Sequence, residues 1–354
     1  MPWTRLLADS YAAGRPAEEG AGRVLTYSQA LREAQAQAMA ADAGVIVMGE
    51  GVDDPGGIFG STLNLHKEFG PERCFDLPIA ENASTGMALG AAISGLRPVY
   101  VHMRMDFMLM GMDQLVNHVA KWRYMTDGAQ KAPLVIRALI GRGWGSAAQH
   151  SQSLQGMLMH VPGLKIVMPA TPRDAKGLLL AAIADDGPVI VLEHRWLYGR
   201  QGPTPEEMYL APLGKGRLAR PGRDATVCAL SLMVCEALEA AEELAAEGVD
   251  VEVLDMRSVK PVDEALLLDS VRRTGRLVLA DTGNVMAGWS AEIAALVGEK
   301  AFDALRGPVA RVGLPDIPTP ASRALEDVFY PGKEAIKARV RELLARPSRE
   351  AAHG

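Results

Sequence analysis

The sequence is short of cysteine, of basic excess and of long apolar runs, and each shortage excludes a class of protein. Its 354 residues contain three cysteines, Cys74, Cys228 and Cys235, scattered without a CxxC pair. Neither a disulfide framework nor a zinc cage is expected, and a reducing, cytoplasmic home fits. Lysine and arginine number 37 against 43 aspartates and glutamates, a formal charge of −6. That balance argues against nucleic acid or an anionic membrane as partner, since both need basic patches. The most apolar stretches, such as residues 178–183, fall far short of the ~20 residues that a membrane helix needs. The N-terminus shows no basic start followed by an apolar run, so no targeting segment is expected. A dinucleotide GxGxxG and a GxxxxGK[ST] phosphate loop are both missing. The histidines at 66, 102, 118, 160, 194 and 353 show no HxxxH or HExxH spacing, and no protein-only metal site is expected.

What is present is an ordinary globular composition, 48% hydrophobic and 23% charged, which excludes a disordered chain. At roughly 150 residues per domain the length suggests two domains. Residues 1–25, rich in Gly, Ala and Pro, read as a loosely held arm. From there strands and helices alternate. Residues 27–42 form an Ala-rich helix that Thr26 and Gln29 close with a capping box, and 45–48 form a buried strand. A helix at 83–93, a strand at 98–101, a helix at 112–124 and a strand at 134–138 follow. Next come a strand at 165–168, a helix at 172–184 and a strand at 188–192. Such alternation implies a parallel sheet covered on both faces. Residues 199–222 hold Pro203, Pro205, Pro212, Pro221 and five glycines. The boundaries are therefore drawn as a first domain at 26–200, a linker at 201–222 and a second α/β domain at 223–354. In the second, strands at 225–230, 249–255, 276–280 and 308–312 alternate with helices at 234–247, 263–274 and 291–297. A terminal helix spans 333–344.

Several segments have residues suited to chemistry. Glu81 lies between a strand end at 75–79 and an Ala/Gly-rich helix, where ligands of parallel sheets gather; a carboxylate at a helix start is also simply good dipole chemistry. His150, in AAQHSQS, sits in a polar loop and suits proton transfer near neutral pH, or is a surface histidine. In MRMDFMLMGM five methionines surround Asp106 and Phe107; they either line an adaptable binding surface or begin a core helix. Gly141-Arg142-Gly143-Trp144-Gly145 leaves backbone amides near an anion or is a plain connection.

Taken in order, GEGVDDPGGIFGST, FGPERCFDLPIAE, ALGAAISGLRPV, DFMLMGMDQLVNHVAKWRYM, AAQHSQS and PGLKIVMPATPRDAKGLL resemble the β subunit of the thiamine-diphosphate-dependent, decarboxylating component of 2-oxo acid dehydrogenases. Pyruvate, branched-chain and acetoin dehydrogenases share this subunit. The resemblance runs from about residue 27 to 344 and continues through EALEAAEELAAEGVDVEVLDMRSVKPVDEALLLDSVRRTGRLVLADTG and PDIPTPASRALEDVFYP. It implies an α/β fold of two parallel-sheet domains, an N-terminal pyrimidine-binding domain and a C-terminal domain of transketolase type. Glu81 would hydrogen-bond the pyrimidine ring nitrogen and so favour the imino tautomer that generates the ylid. Phe107 would stack on the pyrimidine, and Glu50 and Ile79 would line the same ring pocket. His150 would face the substrate or the incoming acyl acceptor. The family's diphosphate and magnesium motif begins with GDG, which this sequence lacks. The resemblance thus implies a separate α subunit that holds the diphosphate and magnesium, an α2β2 heterotetramer, and a lipoyl acyltransferase as acceptor partner.

Four places depart from the family pattern. Asn82-Ala83-Ser84 follow the glutamate. Arg104 and Met105 precede Asp106, and Arg104 either recognises a carboxylate or phosphate or, the favoured reading, faces solvent. Ala280-Asp281 replace a common His-Glu pair, and Glu193-His194-Arg195-Trp196 form a charged strand end. These departures bear on substrate and acceptor, and leave ketol transfer to an aldehyde as the alternative reaction. A third reading is a non-catalytic scaffold; the joint presence of Glu81, Phe107 and His150 argues against it.

Overall fold

The computed structural model describes residues 23–142 and 145–346. They divide into two compact units, one running to Ile140 and joined by His160–Leu213, the other made of Gly141–Met159 and the chain from Gly214 onward. The proposed arm falls mostly outside the described residues, as do Gly143 and Trp144 of the glycine-rich loop.

In the first unit, strand β1 (Arg23–Thr26) pairs antiparallel with β8 (Gln201–Thr204). The main sheet is built from β2 (Val45–Gly49), β3 (Cys74–Asp76), β4 (Arg97–His102), β5 (Val135–Ile140), β6 (Lys165–Val167) and β7 (Val189–His194), in the order β6-β7-β5-β4-β2-β3 and all parallel. Every residue of β2, β4, β5 and β7 is buried, as a sheet covered on both faces requires. The helix Tyr27–Ala41 starts where the sequence places it. Thr26 accepts from the Gln29 amide, and the Gln29 side chain accepts from the Thr26 amide. The helix Pro172–Ala184 starts likewise on Thr171, with proline in its first turn.

The helix expected at 112–124 is not regular α-helix: a 3-10 turn at Leu109–Gly111 precedes it, a π turn occupies Gln114–Val119 and an α turn Trp122–Met125. Gly111 presses against the helix Glu81–Ile93; a Cβ there would lie 2.6 Å from Thr85 Oγ1 and 3.0 Å from the Glu81 carbonyl oxygen. The tight turn permits that approach, and the π turn takes up the register behind it.

One buried polar network crosses the middle of this sheet. Arg137 of β5 and Glu193 of β7 are wholly buried and joined by two hydrogen bonds of 2.6 and 2.8 Å. The remaining guanidinium N–H groups donate to Gln35 Oε1 and Ser61 Oγ, both at 2.9 Å. The Tyr198 hydroxyl donates to Glu193. The charged strand end flagged in the sequence is thus structural at Glu193.

In the second unit, β9 (Arg217–Arg220), β10 (Ala225–Ala229), β11 (Val251–Asp255), β13 (Leu277–Asn284) and β14 (Ala310–Leu314) form a sheet ordered β14-β13-β10-β11-β9; β12 (Ser258–Lys260) follows β11. Only the edge strand β9 runs antiparallel. The helices are Leu232–Ala246, Glu264–Thr274, Trp289–Lys300, Arg323–Phe329 and Lys333–Ala345. Two strands, β8 and β9, lie within the proline- and glycine-rich stretch 201–222. Among the described residues no helix is long and apolar enough to cross a membrane.

Removing one partner of a buried ion pair strands the other charge, at a cost of about 3–5 kcal/mol. Arg137→Ala should therefore lower first-unit stability by roughly that amount, read as a shift in the urea midpoint. A midpoint unchanged from wild type would show that the network contributes nothing to the fold.

Candidate active site

Because the first sheet is parallel, all its strands end on one edge, and loops there collect side chains from several strands. Three adjacent strands, β4, β2 and β3, deliver the candidate residues. Glu50 directly follows β2, Asp76 ends β3, and Glu81 opens the next helix. Gly49 carries no side chain for a steric reason: a Cβ would lie 2.3 Å from the Val101 carbonyl oxygen. The close approach lets Glu50 turn off the sheet beside β4.

Glu81 is 7% exposed and sits in the first turn of its helix, where the free N–H groups favour a negative charge. Its carbonyl accepts from Thr85 Oγ1 at 2.6 Å. The Asp76 carboxylate accepts from the amides of Gly51 and Val52, so its charge is held by backbone. Glu50 has no such support at Oε1, which is buried without a hydrogen-bond partner. Burial, then the neighbouring charges of Glu81 and Asp76, push the Glu50 carboxyl above its ordinary range. A half-buried acid beside two other acids is a site suited to holding a proton or a nitrogenous ligand.

Next to this cluster β4 presents Tyr100 and His102, whose rings meet at 4.3 Å between centroids with their planes tilted by 55°. Burial pushes the His102 imidazole down to about 3, so the ring is neutral at physiological pH. Ser84 and Thr85 of the Glu81 helix face the Tyr100 hydroxyl. The β4 chain continues into the helix Met105–Met108, which places Phe107 half-buried after the strand end. Ile79 is 83% exposed in the isolated chain. Arg104 does not face solvent as favoured from the sequence: it is 7% exposed, because the turn after β4 folds it in. The structure thus brings Glu50 and Glu81 within electrostatic reach of each other and puts Ile79, in the loop after β3, and Phe107, in the short helix after β4, at the same sheet edge. His150 is exposed and belongs to the second unit. Sequence reading passed over Asp76 and His102. Asp76 gave a signal, as an acid at a predicted strand end; His102, inside an apolar strand, gave none.

Residues 23–201 match the transketolase pyrimidine-binding domain family, and residues 214–336 match the transketolase C-terminal domain family. The chain is 42% identical, over 91% of its length and 98% of the relative's, to the acetoin:2,6-dichlorophenolindophenol oxidoreductase subunit β of Cupriavidus necator. It is 41% identical to the pyruvate dehydrogenase E1 component subunit β of Rhizobium meliloti, over 89% of this chain and 69% of that one. Identity to the 2-oxoisovalerate dehydrogenase subunit β of Bacillus subtilis is 38%, over 90% and 98%. The chain belongs to the family of 2-oxo acid dehydrogenase E1 β subunits. A solved split-gene transketolase, described as an inactive β4 tetramer, superposes with a TM-score of 0.73 at 25% identity, covering 91% of this chain and 98% of that one. The α/β fold of two mostly parallel-sheet domains is therefore that of the transketolase type. As an E1 β subunit the chain is a component of a thiamine-diphosphate-dependent oxidoreductase, and the relatives support dehydrogenation over ketol transfer.

The Glu50 shift has a consequence for stability. A carboxyl whose folded value lies above its unfolded value binds a proton more tightly in the folded state, so its ionisation opposes folding as pH rises above about 4.3. Glu50→Gln should raise the melting temperature at pH 8 and raise it by less at pH 4. An equal change at both pH values would contradict the assignment.

Proposed function

We propose that this β subunit, paired with an α subunit as α2β2, decarboxylates a 2-oxo acid and passes the acyl group to a lipoyl carrier. The carrying observation is the buried Glu81 beside Glu50 at the sheet edge of the matched pyrimidine-binding domain. The residues fit an aminopyrimidine. Such a ring offers nitrogen acceptors and an amino donor, and the unpartnered Glu50 Oε1 and the Glu81 carboxyl are complementary to both. When bound, thiamine diphosphate supplies a nucleophilic carbon and an electron sink for decarboxylation.

Glu81 holds a proton at the pyrimidine ring nitrogen, positioned by the helix start and by the Thr85 hydroxyl on its carbonyl. Glu50 contributes a second carboxyl that accepts protonation readily because it is half-buried beside Glu81 and Asp76. Phe107 supplies a ring for stacking and Ile79 an apolar surface against the same ring. His150, exposed in its loop, donates a proton to the substrate or the incoming acceptor. The α subunit brings the diphosphate and magnesium site, consistent with the missing GDG motif. Three free cysteines support a reducing, cytoplasmic setting.

The test is turnover of a 2-oxo acid panel by the chain reconstituted with its α partner, thiamine diphosphate and magnesium, using an artificial electron acceptor. Glu81→Ala should cut turnover by about 10²–10⁴-fold, the usual contribution of a positioned acid–base group. Undiminished turnover in the variant, or wild-type turnover with an aldehyde acceptor alone, would overturn the reading.

A further inference from the structure

In the second unit the chain runs from β10 outward to β11 and from β13 outward to β14, so the strand order reverses between β10 and β13. In open parallel sheets this is where a crevice opens at the strand ends. Here the protein's own segment, residues 150–156, packs against that edge. Asp281, near the end of β13, is 1% exposed, and its Oδ1 accepts from Gln155 Nε2 at 2.6 Å. The Gly283 amide donates to the same oxygen at 3.3 Å. Neither side leaves room for more atoms. A Cβ on Gly283 would lie 2.8 Å from Gln155 Nε2 and 3.0 Å from the Ser153 carbonyl oxygen; one on Gly156 would lie 3.0 Å from the Ala287 carbonyl oxygen.

Burial along the segment alternates. Ser151, Ser153 and Gln155 are buried, whereas Gln152 and Leu154 are half-buried and His150 is exposed. Gln155 opens the short helix Gln155–Met159, and with Ser151 and Ser153 buried as well the chain leading back from it has little freedom in where it carries His150.

We propose that Asp281, through its hydrogen bond to Gln155, is a positioning residue that holds the segment 150–155 in register and thereby sets the placement of His150. The inference rests on the reading of His150 as a proton donor. Burial pushes the Asp281 carboxyl up to about 6, and the Gln155 amide that donates to it works against that rise. Asn at this position keeps an oxygen for Gln155, whereas Ala keeps none.

The experiment uses the reconstituted holoenzyme and a double-mutant cycle with His150→Ala. Gln155→Ala and Asp281→Ala should each lower turnover about tenfold or more, with thiamine diphosphate affinity by fluorescence titration within about twofold of wild type. Asp281→Asn should retain turnover within about threefold. Combined with His150→Ala, the Gln155→Ala change should cause almost no further loss. Should Asp281→Ala fail to fold, Gln155→Ala and Asp281→Asn carry the same test. If His150→Ala slows turnover while Gln155→Ala and Asp281→Ala do not, or if the losses multiply, the positioning role is overturned and the His150 role stands. If His150→Ala is itself neutral, the proton-donor reading fails and this inference fails with it.

Discussion

The first unit depends on a charge pair in the middle of its sheet. Arg137 and Glu193 stand on neighbouring parallel strands, wholly buried, and the guanidinium donates to Glu193, Gln35 and Ser61. Such a pair is seldom a gain in stability over a well-packed apolar one. What it imposes is registration: β5, β7, the helix Tyr27–Ala41 and the loop at Ser61 must meet in one arrangement for every lone pair to be satisfied. A slipped strand would leave a charge buried without partners, so alternatives to this packing are costly.

That registration matters because the proposed site sits at the strand ends. Glu50 and Glu81 are useful only if β2 and β3 end level with β4, and the close contacts at Gly49 and Gly111 leave little latitude for either. The acids are arranged unequally. Asp76 is supported by backbone amides, Glu81 by a helix start, and Glu50 by neither at Oε1. The least supported acid carries the raised proton affinity, which is the expected sign for a group reserved for a ligand. The second unit uses its strand ends differently, filling them with its own segment 150–156 through Asp281 and Gln155.

Much of this was legible in the sequence, for identifiable reasons. Alternating strands and helices gave the α/β class, and Thr26 with Gln29 gave a helix start that the structure reproduces atom by atom. Glu81 was legible because an acid between a strand and an Ala/Gly-rich helix stands out. The helix at 112–124 was legible only as helix, because apolar spacing does not separate the π turn at Gln114–Val119 from an α turn. Arg104 was misjudged for a related reason: a charged residue beside methionines reads as exposed until the turn after β4 is seen to fold it in. Arg137 lay inside an apolar run, and only pairing with Glu193, 56 residues away, explains it. Asp281 looked like a mere departure from the family, and its hydrogen bond to Gln155 spans 126 positions.

The central claim is that Glu81 acts on the aminopyrimidine and so governs the acidity of the reactive carbon of thiamine diphosphate. The most direct measurement is the rate of hydrogen–deuterium exchange at that carbon, followed by NMR in the reconstituted enzyme without substrate. The account predicts fast exchange in the wild type and a rate about 10²-fold or more lower in Glu81→Gln, with cofactor still bound. Equal exchange rates in the two proteins would contradict it.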